Sequence, residues 1–134
     1  MSRVSILLAD DNSAVLNNVT RVLQAKYDIV AAVKDGASVL QEFPRLRPDV
    51  IVLDISIGDV NGIDVARQLR DSGCRSKIVF LTVHEDSDFV NAAMSTGASA
   101  YVVKSRLSTD LISAIEAVLA GKLFVSGSLL HQQS

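Results

Sequence analysis

Five short apolar runs, at residues 4–9, 27–33, 50–54, 78–82 and 100–103, constrain the fold more than any other feature of the chain. Each is continuous and β-branched, as parallel strands covered on both faces should be. Segments of helical period separate them. Val15, Leu16, Val19, Val22 and Leu23 fall on an i, i+1, i+4, i+7, i+8 stripe, and Leu111, Ile112, Ile115, Val118 and Leu119 repeat it. Ser108 is expected to cap the last helix, Gly73 and Gly97 to end two others, and Pro44 to close a short second one. The alternation predicts an α/β domain, a (βα)5 three-layer sandwich with right-handed crossovers around a parallel five-stranded sheet. Residues 1–122 are expected to form this domain. Residues 123–134, "LFVSGSLLHQQS", are expected to dock, to continue a helix or to begin a linker.

Composition narrows the function. The 134 residues suit one core, and 49% hydrophobic with 21% charged residues is ordinary for a globular protein. No apolar run approaches the roughly 18 residues of a membrane span, and "MSRVSILLAD" lacks the length and cleavage site of a signal peptide. A single cysteine, Cys74, precludes an internal disulfide and fits a reducing cytoplasm. A net charge of −2 without tryptophan offers neither a basic footprint nor stacking platforms, so the chain alone is not expected to bind nucleic acid.

The chemistry lies at the strand ends. Open α/β sheets bind ligands beyond the carboxyl ends of their strands, where the strand order reverses. With order 2-1-3-4-5 that place lies between the run ending in Asp10-Asp11 and the run ending in Asp54. Three carboxylates so close raise one another's pKa unless a positive charge joins them. Lys104, directly after the last apolar run, is one such charge. A divalent cation is the natural second, and an all-oxygen ligand set with room for water suits Mg²⁺ (or Mn²⁺) better than zinc. The Thr82 hydroxyl should face the same crevice. An acceptor carboxylate, a metal site, a hydroxyl and an ammonium make a receptacle for a phosphoryl group, whose transfer needs positioning and charge neutralisation above all. Asp54 would be the nucleophile.

The set Asp10-Asp11, Asp54, Thr82, Tyr101 and Lys104 resembles the receiver domain of bacterial two-component response regulators. The stretch "FLTVHEDSDFVNAAMSTGASAYVVKS" is similar to receivers that precede a LuxR-type helix-turn-helix. The resemblance covers residues 4 to about 120 and implies a flavodoxin-like fold. It makes Asp54 the phosphoacceptor, Asp11 a direct Mg²⁺ ligand, Asp10 a ligand mainly through water, and the Ser56 backbone carbonyl a further ligand. Thr82 and Tyr101 would carry the switch to a face used for output or for a homodimer. Gly62 matches the family's glycine eight residues past the acceptor. The implied partner is a sensor histidine kinase or phosphotransfer protein in the cytoplasm, without a membrane. DNA would be reached only through a helix-turn-helix domain, if these residues are part of a longer regulator. The start at Met1 would then place the missing part on the C-terminal side.

Three positions depart from the family pattern. Ile57-Gly58 replaces a frequent Met-Pro and is expected to loosen the loop after the acceptor. Ser105 stands where a proline often follows the lysine. His84, two residues past Thr82, shares with Ser56 the positions that flank the phosphoryl group and influence its hydrolysis, although by itself it reads as a solvated loop residue. Cys74 reads as a loop thiol, and Met94 as packing in or beside the core.

Other functions fit less well. A flavodoxin-like electron carrier needs a Gly/Ser/Thr-rich phosphate loop after its first strand, where this chain has "DDNSA". A haloacid-dehalogenase-type phosphatase needs a second acid two residues past the first, where this chain has Ser56. No G-x-x-x-x-G-K-[ST] loop is present for an ATPase. A receiver-fold interaction module that no longer takes phosphate is the remaining rival. The protein is not expected to be a conventional enzyme, beyond assisting its own aspartyl phosphorylation and dephosphorylation.

Overall fold

The computed structural model describes residues 3–126. The elements in chain order are β1 (Ser5–Ala9), α1 (Ser13–Leu23), β2 (Asp28–Val33), α2 (Gly36–Leu46), β3 (Val50–Leu53), β4 (Ser56–Ile57), β5 (Val60–Asn61), α3 (Gly62–Asp71), β6 (Lys77–Thr82), α4 (Ser87–Met94), β7 (Ala100–Val103), a 3-10 turn (Lys104–Arg106), α5 (Leu107–Leu119) and β8 (Phe124–Val125). The main sheet is parallel throughout, in the order β2-β1-β3-β6-β7-β8. Its first five strands reproduce the expected 2-1-3-4-5 arrangement.

Successive strand residues point to opposite faces, so each apolar run feeds two cores. Leu7, Ile51, Leu53, Phe80 and Tyr101 pack with Val39, Val65, Leu69 and Val90 of α2, α3 and α4. Ile6, Leu8, Val50, Val52, Val79 and Leu81 pack with Leu16, Val19 and Leu23 of α1 and with Leu111, Ile115 and Val118 of α5. The two stripes read from the sequence are the inner faces of those helices. Cys74 follows α3 in a loop but is buried in the first core, and Met94 lies partly buried against it.

Several local expectations change. The strand at 28–33 is not covered on both faces: Asp28, Val30 and Ala32 are exposed because β2 is the sheet's edge. Pro44 does not close α2, which runs on to Leu46 and ends with Arg47 in the left-handed region at φ 44°. So near the end of a helix, proline forfeits little beyond one backbone bond. Ser108 is not the cap of α5. The 3-10 turn runs straight into the helix, which starts at Leu107 behind Arg106 and leaves no break for a serine to cap. Gly73 and Gly97 do follow the ends of α3 and α4, both at positive φ.

The sheet also gains a sixth strand, so residues 124–126 dock, while Leu123 before them is exposed; residues 127–134, with His131, lie outside the described residues. β8 pairs with β7 through Phe124 opposite Ala100 and Val125 opposite Tyr101. Ser126 is fully buried. Its N–H donates to the Tyr101 carbonyl at 2.9 Å, and its Oγ accepts the Val103 N–H at 3.1 Å. Beside it, the buried Asp110 carboxylate accepts Arg106 Nε at 2.8 Å and Thr109 Oγ1 at 3.1 Å. Burial opposes the Asp110 charge, but the bonds with Arg106 and Thr109 and the nearby Ser126 hydroxyl outweigh that and hold the carboxyl below its usual value. A lowered folded pKa stabilises the protein above the unfolded value and is lost on acidification. Asp110→Ala should therefore cost about 1–3 kcal/mol at neutral pH and speed hydrogen exchange at the Val103 and Ser126 amides. Unchanged exchange at both would show that Asp110 does not hold β8.

Candidate functional site: an acid cluster closed by one lysine

The carboxyl ends of β1 and β3, adjacent in the sheet, deliver Asp10, Asp11 and Asp54 to one crevice. Each offers a carboxylate oxygen, and the three lie within 4.8 Å of one another. Asp10 and Asp54 are both 4% exposed, whereas Asp11 is on the open side. The Asp54 N–H donates to the Ala9 carbonyl at 3.0 Å, which carries the parallel ladder to the acid and fixes its backbone against β1.

Lys104, at the end of β7, reaches both buried acids. Its Nζ lies 2.7 Å from Asp10 Oδ2 and 3.0 Å from Asp54 Oδ2. Asp10 is thus the nearer of the two acids to the ammonium. Asp10 Oδ1 accepts the Asn12 N–H at 2.9 Å, and Asp54 Oδ1 accepts the Ser56 N–H at 3.2 Å. Burial pushes the Asp54 carboxyl above its usual value and the Asp10 charge adds to the rise, while Lys104 and the Ser56 N–H hold it back. For Lys104 burial works against the charge, yet Asp10 and Asp54 together outweigh it and raise the ammonium above the usual lysine value.

A second set of bonds converges on His84, which is half-buried. Its Nε2 lies 3.1 Å from Ser56 Oγ, its ring stacks on Phe89 at 4.2 Å between centroids, and its N–H donates to Thr82 Oγ1 at 3.3 Å. Its carbonyl accepts the Tyr101 hydroxyl at 2.8 Å. Tyr101 is thus fully buried and points inward, and burial, with the charges of Asp86, Asp54 and Glu85, pushes its pKa up. Asp10, Asp11, Asp54 and Lys104 meet directly. Ser56, Thr82 and Tyr101 are joined to one another through His84, a role its lone place in the sequence did not signal.

The loop after the acceptor has a defined turn. Residues 56–61 form a two-residue-turn hairpin, with Ser56 opposite Asn61 and Ile57 opposite Val60. Ile57 is fully buried, and the Gly58 N–H donates to Asp11 Oδ2 at 3.2 Å. Gly-Asp between short β-forming pairs is a hairpin signal that the sequence did carry. Directly beyond the hairpin, a Cβ on Gly62 would overlap the Asp54 carbonyl oxygen, which explains a glycine at that distance from the acid.

The model for the response regulator receiver domain matches residues 6–116. The chain belongs to that family. Among its relatives, the transcriptional regulatory protein DegU of Brevibacillus brevis is 29% identical over 132 residues, covering 97% of this chain and 56% of DegU. The DNA-binding response regulator MtrA of Mycolicibacterium paratuberculosis is 36% identical over 118 residues, covering 87% of this chain and 52% of MtrA. A solved two-component response regulator of the LuxR family, from an Aurantimonas species, matches with a TM-score of 0.92 at 31% identity, covering 97% of this chain and 94% of that one. This receiver spans little more than half the length of the curated relatives named here. Receivers bind Mg²⁺ at an acidic pocket, and the donor set here suits it: hard carboxylate oxygens only, three of them within 4.8 Å of one another. Among the described residues no helix is long and apolar enough to cross a membrane.

The raised Asp54 pKa has a consequence for stability. A raised folded value means that ionised Asp54 destabilises the fold, fully above that value and not at all below the unfolded one. Asp54→Asn should raise the thermal midpoint at pH 7 by a few degrees, the size of a change of about 1 kcal/mol in a domain of this length. The advantage should shrink as pH falls through the raised value toward about 4, the unfolded carboxylate range. Melting curves of both proteins in EDTA from pH 7 to pH 4 check this; a lower midpoint for the variant at pH 7 would contradict it.

Proposed function

We propose that this receiver accepts a phosphoryl group on Asp54 from a sensor histidine kinase or phosphotransfer protein, and that the acyl phosphate switches an output or homodimer surface. The observation that carries the reading is Asp54 itself. It is a buried carboxylate at a strand end, bonded by Lys104 and beside two further acids whose oxygens lie within 4.8 Å. In the step, an Asp54 oxygen forms a bond to phosphorus while the donor's N–P bond breaks, and the leaving imidazole keeps the electron pair. Asp11, Asp54 and the Ser56 carbonyl would hold Mg²⁺ directly and Asp10 mainly through water; Mn²⁺ suits the same donors. A cation held there would supply charge neutralisation for an incoming phosphoryl group.

Lys104 would exchange its bond with Asp54 for one to a phosphoryl oxygen. The Thr82 hydroxyl would take another, giving up the His84 N–H. His84 would then be free to shift, and with it the carbonyl that holds Tyr101. By this route a charge of roughly −1.5 to −2 would bias the face made by α4, β7 and α5. In a longer cytoplasmic protein the output would be transcription, as the names of DegU and MtrA suggest for those proteins. The chain's own turnover would be limited to gaining and losing the phosphoryl group.

Intact-protein mass after incubation with acetyl phosphate tests the reading. We expect a gain of one phosphoryl group with Mg²⁺, none in EDTA, and none in Asp54→Asn. No gain in the wild type on rapid quenching, from acetyl phosphate or from a histidine phosphodonor, would favour an interaction module instead.

A further inference from the structure

The hairpin at residues 56–61 does more than connect β3 to α3. Its turn places Gly58 at φ 63°, whereas Asp59 has negative φ, so the positive angle falls on the first central residue alone. That geometry turns the Gly58 N–H toward Asp11, whose Oδ2 accepts it at 3.2 Å. Asp11 differs from its two neighbours. Asp10 and Asp54 are buried and both meet Lys104, but Asp11 is exposed and has no ion-pair partner among the described residues. An exposed carboxylate on a loop is free to rotate away, and ordering it costs side-chain entropy whenever a ligand needs it. Beside it, Asp10 Oδ2 is held by the Lys104 ammonium at 2.7 Å, so Asp11 is the acid of the cluster that no cation engages among the described residues.

We infer that the Gly58 N–H is a positioning group that holds Asp11 in place for a divalent cation. The inference rests on the proposed Mg²⁺ site and adds to it a backbone donor outside the ligand set. Outer partners of this kind orient a ligand and typically change metal affinity by about 10–100-fold when lost. Gly58 can act so because it is itself held. Ile57 is buried, and the hairpin side chain of Val60 packs on α2 so closely that a Cβ on Gly36 would come within 2.7 Å of Val60 Cγ2. The substitution of Ile57-Gly58 for the frequent Met-Pro thus gains meaning. Proline has no N–H to donate and is locked at negative φ, so a chain with proline at 58 could not hold Asp11 in this way. The turn that sequence reasoning expected to be loose is, on this inference, part of the metal site.

The test is the Mg²⁺ dissociation constant of the whole chain, titrated with Mg²⁺ alone after chelator treatment, for the wild type, Gly58→Asn and Gly58→Pro. Asparagine keeps the N–H and is among the side chains found at positive φ in such turns, so the asparagine variant should bind Mg²⁺ more tightly than the proline variant. Proline should weaken binding about tenfold while the protein still melts cooperatively in EDTA. Should the proline variant fail to fold, the wild type decides: its Gly58 amide resonance should move along the same saturation curve as the Asp54 amide. Equal affinity of the folded proline variant, or a Gly58 amide indifferent to saturating Mg²⁺, overturns the inference and leaves the metal site standing. A wild type that binds no Mg²⁺ overturns both.

Discussion

Everything at the carboxyl edge of the sheet depends on one ammonium group. The sheet places Asp10 and Asp54 on neighbouring strands and removes both from water, an arrangement that opposes folding unless a cation joins them. Lys104 supplies it from β7, which lies two strands from β3, a gap of about 10 Å at ordinary strand spacing. Only a long side chain starting at the strand's end bridges that gap, and the lysine stem does so over the end of β6, where Thr82 sits. The strand order is therefore an electrostatic requirement as well as a packing solution. Even so, the neutralisation is incomplete. One ammonium serves the two buried carboxylates, Asp11 beside them has no ion-pair partner among the described residues, and Asp54 keeps a raised pKa. The residual negative charge is the kind that a divalent cation would neutralise, and it is maintained at the expense of stability.

The second constraint is the shared backbone of His84. Its N–H, its carbonyl and its ring each hold a different residue: Thr82, Tyr101 and Ser56. Phe89 stacked on the ring ties the same residue to α4. The buried Thr82 and Tyr101 cannot give up their partners without leaving a polar group unsatisfied, at a cost of about 1–3 kcal/mol. Such a network favours two discrete arrangements over a continuum, which is the physical basis for a population shift. β8 extends it, since Ser126 bonds the backbone of the Tyr101 strand on both sides of Val102.

The sequence displayed the central fold because parallel strands are buried on both faces and write themselves as unbroken apolar runs, as Val50 to Leu53 do. Asp10, Asp11, Asp54 and Lys104 were legible for the same reason: a charge that interrupts such a run must sit at its end. What escaped were features set by the tertiary context. β8 is two residues long, too short for any periodicity, and exists because β7 would otherwise have an open edge. Pro44 and Ser108 carried correct local preferences that the ends of α2 and the 3-10 turn before α5 overrode. His84 was marked as a neighbour of Ser56, but its hold on Thr82 and Tyr101 was unreadable because its backbone makes those bonds, and every residue has a backbone.

The segment from Asp54 to Gly62 shows how tightly the chemistry is folded into the chain. Within these residues the strand ends, an acid is presented, a hairpin forms, and α3 begins against the Asp54 carbonyl. Each turn back toward β3 aims a backbone donor at the crevice: Ser56 at Asp54, Gly58 at Asp11. Because backbone donors cannot rotate away, the carboxylates are oriented before any ligand arrives, and less ordering entropy remains to be lost on binding. The two glycines make this possible in different ways, one by a positive φ and the other by having no side chain where the helix meets the acid. Lengthening the loop would relieve both restrictions and would also free both carboxylates, so the compactness of this segment follows from the work its backbone does.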